Sequence, residues 1–171
     1  MDELPISALF IALVTLIIIS AFFSSSETAM MSLNRYRLKH LVKKQQKGAI
    51  KANQLLQKPE RLISVILIGN NLVNIAAASI ATILGARLLP GNENLALLIS
   101  TFGLTLIILI FAEVTPKTIA QKFPERVSFP ASYLLAPLQV VLAPVIWLMD
   151  KLVSTLLWLL RINTKTPAVM P

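Results

Sequence analysis

ISALFIALVTLIIISAFF, residues 6–23, is a run of 18 uncharged, mainly apolar residues. A helix that crosses the hydrocarbon core of a bilayer needs about 20 such residues. The five residues before it, MDELP, carry Asp2 and Glu3, where a cleaved signal peptide would carry Lys or Arg. The run is also long for the apolar segment of a signal. It is therefore read as a helix that stays in the membrane.

Two further runs repeat the pattern. Leu62 to Ala86 gives 25 uncharged residues, with Gly69, Asn70, Asn71 and Asn74 inside it. Leu95 to Ala112 gives 18 more and leads directly into Glu113. Composition agrees: of 171 residues, 56% are hydrophobic and 14% charged, where soluble domains carry about 25% charged residues. Mean hydropathy is +0.74. With no cysteine and one histidine, His40, disulfides, thiolate metal sites, a Cys nucleophile and a multi-His site within one chain are all excluded. No phosphate-binding glycine loop and no catalytic set is found, so the chain is read as a non-enzyme.

The basic residues set the orientation. Residues 24–61 carry nine Lys or Arg, residues 114–126 add Lys117, Lys122 and Arg126, and the tail adds Lys151, Arg161 and Lys165. Arg87, in the turn between the second and third runs, is the remaining one of 16. Cytoplasmic loops concentrate Lys and Arg. Three spans, at about 6–26, 62–88 and 94–114, with the N-terminus outside and the C-terminus inside, put 15 of the 16 bases in the cytoplasm. The expected location is a cell membrane, multi-pass. A nucleic-acid role for the net charge of +8 is disfavoured, because the basic region lacks interleaved aromatics apart from Tyr36.

Two segments read as interfacial. Between residues 34 and 58, Leu38, Leu41, Val42, Ile50, Leu55 and Leu56 recur at helical spacing among lysines, the pattern of a helix in the headgroup layer. A solvated basic connector is the plainer alternative. Residues 127–160 contain Pro130, Pro137 and Pro144, seven apart. Proline removes a donor and clashes with the preceding turn, so this segment is expected to be Pro-separated helical pieces at the cytoplasmic interface. The fold class is all-α integral membrane, a single transmembrane domain over residues 1–171 with amphipathic juxtamembrane helices at the cytoplasmic face.

Three polar clusters interrupt the apolar runs: Ser24-Ser25-Ser26-Glu27-Thr28, Gly69-Asn70-Asn71-Leu72-Val73-Asn74, and Glu113-Val114-Thr115-Pro116-Lys117. All offer oxygen donors, which hard cations such as Mg²⁺ and Ca²⁺ prefer. Asn70 and Asn74 stand four apart and share a helix face. Gly69 lets an ion or a backbone approach. Pro116 cannot donate to the Ala112 carbonyl, and consecutive serines can unwind a helix locally. Both devices would expose carbonyls, which membrane proteins tolerate where they line a cavity or face protein. The competing reading is plain hydrogen bonding between helices, or, for Glu113, pairing with Lys117 one turn on.

In order, FFSSSETA from Phe22, GNNLVN from Gly69 and AEVTPK from Ala112 resemble the transmembrane domain of the CorC and cyclin M (CNNM) family. The resemblance covers nearly the whole chain. It implies Mg²⁺ transport, chiefly export, with Co²⁺ resistance in bacteria, and three spans with juxtamembrane helices. It also implies a homodimer and a Mg²⁺ site at Ser24, Ser25, Ser26, Gly69, Asn70, Asn74 and Glu113. Family members continue into cytoplasmic CBS domains that bind ATP, which are absent from these residues. The small-residue run Ala76-Ala77-Ala78-Ser79, with Ala81, would allow close approach in a dimer. Two other functions remain: a membrane anchor and Mg²⁺-sensing module that dimerises without moving ions, and a channel.

Overall fold

The structure is a computed structural model that describes residues 4–162; Asp2, Glu3 and Lys165 lie outside them. Among the described residues there is helix and no strand. Helix α1 spans Ile6–Ser32, α2 Arg35–Lys43, α3 Lys47–Leu56, α4 Pro59–Leu88 and α5 Glu93–Ile107. A seven-residue π-turn, Ile108–Val114, joins α5 to α6, Thr115–Lys122, after which come α7, Pro124–Val141, and α8, Ala143–Leu159. Three helical stretches are long and apolar enough to cross a membrane: Ile6–Ser32, Pro59–Leu88 and Glu93–Lys122. The chain is a membrane protein with three such spans.

Helix α1 is the central post. It packs along α4, and it also meets the π-turn, α6 and α7. The third span changes partner on the way: α5 lies against α4, whereas the π-turn and α6 lie against α1. Two apolar cores result. Leu9, Leu13, Ala77, Ala81, Leu84 and Leu104 form one, near the α4–α5 turn. The other unites Phe23, Met30, Val65, Ile66 and Val73 with Leu38, Ala49 and Leu55 of the short helices and with Phe129 and Leu135 of α7.

Several sequence expectations are refined. The first span runs on to Ser32 without unwinding at Ser24–Ser26, because their hydroxyls bond within the helix or to a neighbour. The third does not end at residue 114 but continues to Lys122. Its proline is accommodated by widening: Thr115 N–H donates to the Ile110 carbonyl, five residues back, just before Pro116. A π-turn shifts the acceptor by one residue, so the third span passes Pro116 without a break.

The basic segment folds as two helices rather than one, with Gln45 at φ 63° in the turn between them. Both are amphipathic as expected, burying Leu38, Ala49, Ala52, Leu55 and Leu56 and leaving Lys39, Lys43, Lys44 and Lys47 exposed. The Asn34 amide oxygen caps α2, accepting from the N–H groups of Tyr36 and Arg37 at 3.0 and 3.2 Å.

The expectation of breaks at all three prolines fails at two of them. Pro130 and Pro137 sit inside a continuous α7, both on its exposed face, where the rings disturb no packing. The break falls at Leu142, with Pro144 in the first turn of α8, a position that needs no donor. The two helices meet at 67°, and by length and composition alone the pair would also count as one broken span.

The run of small residues is divided. Ala77 and Ala81 are buried inside the chain against Leu9 and Leu13, while Ala78 and Ser79 face outward.

Candidate functional site

Polar side chains gather where α1, α4 and the π-turn meet. Ser20 and Ser24, four apart on α1, are each 1% exposed. Residues at this spacing have Cβ atoms about 5–6 Å apart on one face, so α1 presents two hydroxyls one turn apart. Each meets a different partner helix.

The first shelf joins α1 to α4. Ser20 Oγ lies 2.7 Å from Asn74 Oδ1 and 3.1 Å from Asn70 Oδ1. A hydroxyl has one proton to give. With both amides in this orientation, one hydroxyl proton faces two amide oxygens and can fully satisfy one of them at a time.

The second shelf joins α1 to the third span. Ser24 Oγ donates to Glu113 Oε2 at 3.2 Å. The same oxygen receives Lys117 Nζ at 3.1 Å. Glu113 stands in the π-turn, at the segment where the third span turns from α4 to α1. A change of helical pitch there rotates the carboxylate toward Ser24, which is how a residue inside a span comes to face the central post.

Of the seven residues named from sequence, Ser24 and Glu113 meet on one shelf, and Asn70 and Asn74 on the other. Ser25 and Ser26 turn their hydroxyls to the Phe22 carbonyl, at 3.1 and 2.6 Å. Gly69 lies under the Phe23 ring, where an added Cβ would come within 2.4 Å of Cζ. Its missing side chain serves the α1–α4 contact. Asn71 is exposed and takes no part. Ser20 was not singled out from sequence, although it lies one turn before Ser24 and interrupts an apolar run.

The donor set is one carboxylate, two amides and two hydroxyls. Among the described residues no three His, Cys, Asp or Glu side chains cluster to hold a metal. A hard cation would find oxygens of the preferred kind here but little formal charge, and affinity falls with ligand charge.

Three apolar spans packed around serine, asparagine and glutamate side chains define a polytopic membrane domain. The chain belongs to the cyclin M family: the family described as the cyclin M transmembrane N-terminal domain, CNNM, matches residues 10–170. Among curated proteins, the UPF0053 inner membrane protein YfjD of Escherichia coli (strain K12) is 51% identical over 146 residues, covering 85% of this chain and 33% of that protein. A UPF0053 protein of Haemophilus influenzae is 47% identical over 157 residues, covering 92% of this chain and 37% of its own length. A Haemophilus influenzae protein named Polyamine export protein is 28% identical over 168 residues, covering 90% of this chain and 38% of that protein. The chain thus spans about a third of the length of these relatives.

Proposed function

We propose that this domain moves a divalent cation, Mg²⁺ first and Co²⁺ second, outward across the membrane along the two shelves of α1. The observation that carries the reading is the convergence of Ser20, Asn70 and Asn74 oxygens on a single proton, one turn from the Ser24–Glu113 pair. Mg²⁺ takes six oxygens at about 2.0–2.1 Å and sheds water reluctantly. Shelves about one turn apart suit an ion that exchanges a few waters for protein oxygens and keeps the rest. Glu113 supplies the charge, and the neutral oxygens replace lost waters. The domain works as a homodimer with its N-terminus outside, and cytoplasmic CBS domains complete the full-length protein.

The test is efflux from Mg²⁺-loaded liposomes, with and without a Na⁺ gradient. The wild-type protein should release Mg²⁺, whereas Glu113→Gln and Asn70→Ala should lose flux and Mg²⁺ binding while staying folded. Folded, ion-binding protein without flux would instead identify an anchor and sensor.

A second reading has its own support. The group on Glu113 is a primary alkylammonium, that of Lys117, and one relative is named for polyamine export. The terminal ammonium of a polyamine would make the same contact. Spermidine that competes with Mg²⁺ for binding, and is itself transported, would establish this cargo.

A further inference from the structure

We propose that Lys117 is a tethered competitor for the cargo: its ammonium occupies Glu113 when the site is empty and must leave when a cation arrives. The inference rests on the reading of Glu113 as the charged ligand of the cargo. Lys117 Nζ lies 3.1 Å from Glu113 Oε2, the same oxygen that accepts from Ser24 Oγ. That one oxygen thereby meets both a buried hydroxyl and an ammonium.

The pair is asymmetric in burial. The Glu113 side chain is 24% exposed and that of Lys117 42%, so the lysine is the more accessible of the two. Lys117 has a four-carbon stem and a point charge without fixed orientation, so its head can swing away while Cα stays in α6. An arginine fork would be held more rigidly.

Charge then dictates the order of events. A divalent ion within a few ångströms of an ammonium is repelled twice as strongly as a second monovalent ion would be. One carboxylate cannot neutralise both. Cargo entry therefore requires Lys117 to retreat, and the return of Lys117 helps to displace the ion. Between cycles Glu113 is never an unpaired charge at membrane depth, which would be costly. The device lowers affinity and speeds release, as a transporter requires.

The direction of the Lys117 effect is the test. If Lys117 only braced the helix, its loss would weaken binding; as a competitor, its loss tightens it. Mg²⁺ binding is measured by calorimetry on the protein in lipid nanodiscs. Lys117→Met should bind about tenfold more tightly than wild type, and Lys117→Arg, which keeps a competing cation, no more tightly than wild type. Glu113→Gln should not bind.

In the unmutated protein, acylation of Lys117 by an amine-reactive reagent, followed by peptide mass spectrometry, should quicken several-fold on Mg²⁺ saturation, with Lys122 unchanged. Equal or weaker binding by folded Lys117→Met overturns the inference alone, provided that wild type binds and Glu113→Gln does not. Should Lys117→Met fail to fold, an unchanged acylation rate overturns it. Absence of Mg²⁺ binding in wild type, or undiminished binding in Glu113→Gln, overturns both this inference and the cargo reading.

Discussion

Ser20 Oγ stands 2.7 Å from Asn74 Oδ1, which ties the middle of α1 to the middle of α4 at the seam between the two apolar cores. An interhelical hydrogen bond inside a membrane protein contributes about 0.6 kcal/mol on average and up to about 1.7. Ser20→Ala should cost stability within that range and weaken Mg²⁺ binding several-fold. Ser25→Ala is the control, because that hydroxyl bonds to the Phe22 carbonyl of its own helix. It should leave both quantities near wild type. Thermal unfolding in nanodiscs and Mg²⁺ titration read the two effects separately.

Gly69 and Gly85 both hold helices close, but their neighbours differ in what can yield. A Cβ at Gly69 meets the Phe23 ring at 2.4 to 2.8 Å. That ring is 6% exposed and packs edge-on against Phe22 with centroids 5.4 Å apart, so it has little room to move. At Gly85 the tightest contact is Ser100 Oγ, at 1.9 Å, with Ala96 O and Ser100 Cβ at 3.2 and 3.3 Å. A hydroxyl can rotate away, leaving contacts that must give by a few tenths of an ångström.

Overpacking a filled site costs about 1–3 kcal/mol. Gly69→Ala should fall in that range, and Gly85→Ala at about half the cost or less. Phe23→Leu should recover part of the loss in Gly69→Ala but none in Gly85→Ala. Unfolding temperatures of the three single and two double variants decide it. Failure of the rescue would mean that the Phe23 ring is not what the glycine accommodates.

The glycine shows what sequence conveyed and what it did not. The spans were legible because apolar length is a property of the chain alone, and the lysine-rich helices because their periodicity is. Asn70 and Asn74 could be placed on one face by counting. That Gly69 serves a ring on another helix depends on the α1–α4 register, which no local pattern encodes. Ser20 was hidden for the same reason: a lone serine in an apolar run becomes notable only once Asn74 is seen opposite it. Pro116 was recognised as a disturbance, but a break and a π-turn both answer a missing donor. The choice follows from where α5 and α6 must pack.

Arg37 of α2 and Glu125 of α7 form an ion pair that joins the basic helices to the proline-bearing segment. Their side chains are 63% and 31% exposed. Exposed pairs contribute about 0.2–1 kcal/mol and are screened by salt. A double-mutant cycle with Arg37→Ala and Glu125→Ala should give a coupling within that range at low ionic strength and almost none at 1 M salt. A larger, salt-resistant coupling would mean that α2 and α7 are locked together more firmly than solvent-exposed charges allow.

Topology can be tested without background, because the sequence contains no cysteine. Fifteen of the 16 Lys and Arg fall on the cytoplasmic side or at the cytoplasmic end of a crossing helix if α1, α4 and the α5–α6 stretch cross and the α7–α8 pair does not. Lys44→Cys, in the turn after α2, and Pro90→Cys, in the turn after α4, are both at exposed positions. An impermeant maleimide should label position 90 in intact cells and position 44 only after permeabilisation.

The α7–α8 pair needs its own probe, since a broken crossing there would leave the first three spans unchanged. Arg161, just beyond α8, is informative because the two arrangements put it on opposite sides. With three spans, Arg161→Cys is cytoplasmic and resists external label; with a fourth crossing it reacts as readily as position 90. The charge argument favours resistance, because a crossing would move Arg161 and the base at 165 outward and lower the cytoplasmic count from 15 to 13 of 16. External labelling of Arg161→Cys in a protein still sealed at position 44 would make the 67° elbow the middle of a span. The 127–160 segment would then cross the bilayer and could no longer be an interfacial helix pair.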